Sequence, residues 1–71
     1  MDMIRVNSSN VRSVGYSAIN KALFVEFIDG TIYEYSNVPK VHYDNLIIAG
    51  SVGSYLHSNI IKMGYANKKI K

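Results

Sequence analysis

Leu23-Phe24-Val25-Glu26-Phe27-Ile28-Asp29-Gly30-Thr31-Ile32-Tyr33-Glu34-Tyr35 decides the fold of this chain. Two runs of β-branched and aromatic residues, 22–28 and 31–35, flank an Asp-Gly pair, which is the composition of a β-hairpin. Two registers compete for it. A two-residue turn pairs Ile28 with Thr31 and Val25 with Glu34, which buries a glutamate beside Leu23, Val25 and Phe27. A three-residue loop with Gly30 left-handed in a bulge pairs Phe27 with Thr31, Val25 with Tyr33 and Leu23 with Tyr35. Burying an unpaired carboxylate costs several kcal/mol, so the bulged register is expected. It turns Tyr33 and Tyr35 toward the apolar face and sends Glu26 and Glu34 outward with Phe24 and Ile32.

Upstream, Ser8-Ser9-Asn10 reads as a turn or cap cluster. Val11 to Ser17 then alternates, with Arg12, Val14 and Tyr16 on one side and Ser13, Gly15 and Ser17 on the other, as a short strand does. Downstream, Pro39 suits the first turn of a helix, where its missing N–H is not needed. Val41, Tyr43, Leu46, Ile47 and Ile48 recur near helical spacing as far as Gly50, which is expected to supply a left-handed cap. Ser51 reads as the N-cap of a second helix through Tyr55, Leu56, Asn59, Ile60 and Ile61, closed by Gly64. Residues 65–71 are either a last strand or a frayed basic tail. The expected fold is α+β, in the order β-β-β-α-α: a small antiparallel three-stranded sheet with two helices packed on one face. It forms a single domain over residues 1–71, with 1–10 as an N-terminal segment.

The chain has 71 residues, so one domain with a small core is all it can build. Cys 0 excludes disulfides and thiolate metal sites. Hydrophobic content of 48% against 18% charged is that of a globular chain. No basic leader followed by an apolar run opens the sequence, and no apolar stretch reaches membrane-spanning length. A soluble cytoplasmic protein with no membrane association is expected, as a monomer or weak homodimer.

Catalytic and metal chemistry find no foothold. His42 and His57 lack the second histidine or cysteine at i+3 or i+4 that a metal helix needs. Ser13, Ser51, Ser54 and Ser58 sit in no nucleophile motif. Glu26 and Glu34 sit near one another across strands but on an exposed, outward face, which gives a carboxylate pair no pocket in which to work as acid and base. No phosphate loop or dinucleotide fingerprint is present. No enzyme activity and no cofactor are expected.

Charge is the more telling property. The formal balance is +3, and Lys62, Lys68, Lys69 and Lys71 fall in the last ten residues, while no acid follows Asp44. A basic end on a small domain suits phosphate contacts or an acidic partner; a solvated tail is the plainer reading. Gly50-Ser51-Val52-Gly53 resembles the G-x-x-G loop with which KH domains clamp a nucleic-acid backbone, though it lacks the basic residue usual between the glycines. A cap glycine followed by an N-cap serine accounts for the same residues. A helix start with free N–H groups is nonetheless an anion site, which Asn59, Lys62, Lys68 and Lys69 would surround if the chain folds back.

The ordered set Ser8-Ser9-Asn10-Val11, Ser13-Val14-Gly15-Tyr16, Leu23-x-Val25-Glu26-Phe27, Gly30-x-x-Tyr33-x-Tyr35, Val38-Pro39, Ser51-x-Gly53-x-Tyr55-Leu56 and Asn59-Ile60 resembles the KTSC domain. That short module is named for its place at the C-terminus of some lysyl-tRNA synthetases, and it also occurs alone in small bacterial and phage proteins. Leu56 departs from the family pattern, which usually has phenylalanine there. With nothing ahead of the domain in this sequence, a form without an attached synthetase is expected, and the resemblance implies RNA binding from the family's company on a tRNA enzyme. The expectation is therefore a non-catalytic nucleic-acid-binding module, RNA first. Arg12, Lys40, Lys62, Lys68 and Lys69 would supply charge, Ser51, Gly53 and Asn59 would line the anion site, and Tyr55 or Tyr65 would stack. The alternative is a protein-interaction module of phage or prophage type, docking on a host protein through Phe24 and Ile32.

Overall fold

The computed structural model describes residues 2–71; Met1, with which the expected domain begins, lies outside them. The hairpin forms in the bulged register. Strands β3 (Ala22–Phe27) and β4 (Ile32–Tyr35) pair Leu23 with Tyr35, Phe24 with Glu34, Val25 with Tyr33 and Glu26 with Ile32. At the bend the Phe27 amide donates to the Thr31 carbonyl at 2.8 Å, and the Gly30 amide donates back to the Phe27 carbonyl at 2.9 Å. Gly30 sits at φ 92°, a conformation that glycine adopts without steric cost. Asp29 closes the loop by accepting from the Thr31 amide (3.1 Å) and hydroxyl (2.7 Å).

The sheet has five strands, not three, in the order β1-β2-β3-β4-β5, every neighbouring pair antiparallel. The two extra strands are its edges. β1 (Ile4–Arg5) falls within the expected N-terminal segment and pairs with β2 (Val11–Ser17). β5 (Asn67–Lys69) resolves the choice left open for the tail in favour of a strand, lying along β4. Both are too short to show a two-residue periodicity, so their existence rests on pairing with strands already in place.

The alternation expected for β2 is corrected by a bulge. Between Val11 and Ser13 the strand advances two residues while β3 advances one, from Phe27 to Glu26. The extra residue, Arg12, leaves the parity of Val14 and Tyr16 and becomes exposed. Val11 and Val14, three apart in sequence, are thereby both fully buried. Arg12 Nη2 donates to the Ile28 carbonyl at 2.9 Å, tying the bulge to the end of β3.

Two helical segments cover the opposite face to Glu26 and Glu34. Helix α1 (Lys40–Ile47) follows Pro39, which is its N-cap. Gly50 is not the left-handed cap expected for it. The helix ends at Ile47 with Ile48 at φ −109°, and the glycines at positive φ are Gly30 and Gly64. Helix α2 (Val52–Leu56) begins as expected, with Ser51 Oγ accepting from the Ser54 amide at 3.3 Å. It runs on through a π-helical turn, His57–Ile61, where the Lys62 amide reaches the His57 carbonyl at 2.9 Å. Asn59 Nδ2 donates to the Tyr55 carbonyl at 3.2 Å, so the wider turn is braced by a side chain.

Val11, Val14, Leu23, Val25 and Tyr35 from the sheet meet Val38, Leu46, Val52, Leu56 and Ile60 in one core. Burying a side chain of this size contributes roughly 1.5–3 kcal/mol. On the other face Ser13 Oγ donates to Glu26 Oε1 at 2.7 Å, and Lys68 Nζ lies 3.8 Å from Glu34 Oε1. The outward glutamates therefore each have a partner, the second supplied by β5. Among the described residues, no helix is long and apolar enough to cross a membrane.

Candidate nucleic-acid interface

The ten expected contact residues divide into groups that do not converge. Ser51 and Gly53 stand at the start of α2, beside the turn formed by Ser8, Ser9 and Asn10. A Cβ on Gly53 would come within 2.6 Å of Asn10 Oδ1, so the absence of a side chain there lets the helix start approach the turn. The crevice between them is lined by Ser8, Asn10, Ser51, Ser54, His57 and Ser58 among others, and no lysine or arginine reaches it. Lys62 lies past the far end of the helical segment, roughly 15 Å away at about 1.5 Å per residue. Lys68 and Lys69 lie on β5. Of the residues expected around the helix start, Asn59 does share a shallow cleft with Ser51, Ser54 and Ser58, whereas Lys62, Lys68 and Lys69 line neither cleft there. The chain does fold back, but along the sheet edge.

Tyr55 and Tyr65 are half-buried and occupied. His42 Nδ1 is hydrogen-bonded to the Tyr55 hydroxyl at 3.0 Å, and Asn45 Nδ2 donates to that hydroxyl at 3.3 Å. The Tyr65 ring meets His42 edge-on, with centroids 6.4 Å apart. These contacts join α1, α2 and the turn before β5. Both rings are thus engaged in packing between elements.

Lys40 is paired with Asp44 one turn along α1, Nζ to Oδ1 at 2.9 Å, both side chains mostly in solvent. The Asp44 carboxylate raises the Lys40 pKa, first through that hydrogen bond. Such an exposed i,i+4 pair contributes little to stability. Arg12 is held at the β2 bulge.

β5 gathers the remaining charge. Its three residues are exposed, and antiparallel pairing puts Tyr33 opposite Lys69, Glu34 opposite Lys68 and Tyr35 opposite Asn67. Directly opposed residues share a face, so Lys69 stands beside Tyr33 on the helix side and Lys68 beside Glu34 on the other. The ion pairs among the described residues are Lys40–Asp44 and Lys68–Glu34. Lys69 takes part in neither.

Beside Tyr33, the residue opposite Lys69, opens a cleft that the sequence reading missed. Phe27, Ile28, Tyr33 and Tyr35 form its apolar part, and Asn10, Asp29 and Thr31 stand among its polar residues. Phe27 meets Tyr33 edge-on at 5.9 Å, and Tyr33 stacks on Tyr35 at 6.5 Å. Both tyrosines turn toward the apolar face as expected: Tyr35 is 6% exposed within the core, and Tyr33 is half-buried and packed against it. Burial raises the Tyr35 pKa, with Tyr33 adding to the effect. The Asp29 carboxyl is held below its ordinary range by the Thr31 hydroxyl, then the Thr31 amide, with Lys69 contributing at longer range. The alternation of Tyr33 and Tyr35 identified their face. What it lacked was any sign of where the helices stop covering it. Among the described residues no group of three His, Cys, Asp or Glu side chains is placed to hold a metal ion.

Comparison with known proteins yields consistent matches. The family model described as the KTSC domain matches residues 7–65. An uncharacterised protein of Stutzerimonas stutzeri strain A1501 is 35% identical over 57 residues, which cover 80% of each chain. The crystal structure of a KTSC domain protein from Yersinia pestis is similar with a TM-score of 0.87 at 31% identity, covering 99% of this chain and 97% of that one.

Proposed function

The chain belongs to the KTSC domain family, and from its surface chemistry we propose that it is a small, non-catalytic module binding nucleic acid, RNA first, through its basic C-terminal region. The observation that carries this reading is the exposed edge strand β5, with Lys68 and Lys69 on it and Lys71 just beyond. No acid follows Asp44 in the sequence, and the acids that face this edge are Glu34, paired with Lys68, and Asp29, within electrostatic reach of Lys69. Lysines along an extended backbone follow phosphates without reading sequence. The protein would act in the cytoplasm, as a monomer or weak dimer.

Binding of this kind releases counterions, so its logarithm falls with the logarithm of salt by about 0.7 for each phosphate neutralised on a single strand. A labelled oligoribonucleotide titrated by fluorescence anisotropy at several salt concentrations measures that slope. Replacing Lys62, Lys68 and Lys69 together by Gln should abolish binding. Failure of the unaltered protein to bind RNA or heparin at low salt would overturn the reading.

A second reading, docking on a host protein through the outer sheet face, is supported by one contact. The Ile70 amide donates to the Ile32 carbonyl at 2.8 Å, which brings Ile70, 46% exposed, beside Ile32 near Phe24. Apolar docking would survive high salt, and replacing Phe24 and Ile32 by Ser would abolish it.

A further inference from the structure

We propose that the cleft beside Tyr33 receives one unpaired base of the bound strand, stacked on the Tyr33 ring, with the adjoining phosphate held by Lys69. This rests on the nucleic-acid reading and adds a nucleotide pocket to it. Tyr33 is backed by Tyr35 and met edge-on by Phe27, so the ring is held in place before any ligand arrives. A surface ordered in advance loses little conformational freedom on binding. Aromatic rings so placed take bases of any identity, because every base has a π-face.

The polar groups around the ring order the nucleotide. Both hydrogen bonds from Thr31 fall on Asp29 Oδ1, and Oδ2 remains to accept an N–H from a base edge. The same carboxylate repels phosphate. Lys69, opposite Tyr33 in the strand pairing, supplies the cation. Base edge toward the Asp29 turn and phosphate toward β5 is thus the orientation that the charges favour. Lys68 faces the other side of the sheet, next to Glu34, and has no part in this pocket. A base inside a duplex is stacked and paired, so the pocket selects single strands.

The test compares short oligouridine with the same sugar-phosphate backbone lacking bases, both titrated by fluorescence anisotropy at low salt. Oligouridine should bind about tenfold more tightly, the scale of one base–aromatic stack. Tyr33→Leu should remove that preference and leave the salt slope unchanged. Lys69→Gln should keep the preference and reduce the slope by about 0.7. Because Tyr33 also packs, its ring-proton NMR shifts in the unaltered protein give a second readout, expected to move on adding oligouridine. Equal binding of the two backbones, or Tyr33 shifts that stay put, overturns the pocket while leaving cationic binding by β5 intact. If neither backbone binds, the nucleic-acid reading falls as well.

Discussion

At the scale of single residues, the turn Asp29-Gly30-Thr31 carries two separable effects. Gly30 is left-handed at φ 92°, a region that costs another L-residue roughly 1–2 kcal/mol. Gly30→Ala should therefore lower the melting temperature by about 4–8 °C for each kcal/mol lost in a domain of this size. Scanning calorimetry measures it, and an unchanged melting point would mean that the turn rearranges freely. Asp29 has its pKa lowered by Thr31, and the sign of the linkage follows. The stabilisation is present above the ordinary aspartate pKa and is lost as pH falls through the lowered folded value. Thr31→Val removes the hydroxyl donor and should move the Asp29 titration, followed by NMR, up toward the ordinary range. A titration that does not move would assign the shift to some other group.

At the scale of elements, the helical segment 52–61 is held by its cap and its buried stripe. Ser51 caps it, and Val52, Leu56 and Ile60 are the residues it buries. Leu56→Ala should cost about 2–5 kcal/mol, the range for truncating a buried leucine. That is a large share of the ~0.05–0.15 kcal/mol per residue by which small domains are stable. Ile48, 78% exposed just past α1, is the control, and Ile48→Ser should change stability by no more than about 0.5 kcal/mol. Urea denaturation compares the two. Equal effects would mean that α2 does not rest on the sheet as described.

At the scale of the molecule, one cluster joins β2, β3, β4, α1 and the 52–61 segment, and no second core exists among the described residues on which a part could survive alone. Unfolding should therefore be a single transition. Far-UV circular dichroism and tyrosine fluorescence, from six tyrosines spread over sheet and helices, should give the same midpoint. Two separate midpoints would show that helices and sheet melt independently. The cationic edge and the Tyr33 cleft exist only at this scale, because each joins residues distant in sequence: Lys69 with Tyr33, and Asn10 with Asp29.

Much of the fold is legible in the residues themselves. Asp29-Gly30 with two alternating runs specified the hairpin and its bulge, since the other register buries a glutamate. Ser51 announced a helix start and Gly64 a helix end by local backbone chemistry. The site was less legible, because Tyr55, Tyr65 and Asn59 were identified by residue type and then found engaged in packing and bracing. Only the tertiary structure decided that Ile4–Arg5 and Asn67–Lys69 become strands, since segments so short carry no pattern and form where an unpaired edge offers them hydrogen bonds. It alone decided that Arg12 leaves its expected parity, and that the helices bury Tyr35 while leaving Tyr33 half open. Pairing and coverage are set by partners far along the chain, and local sequence holds no record of them.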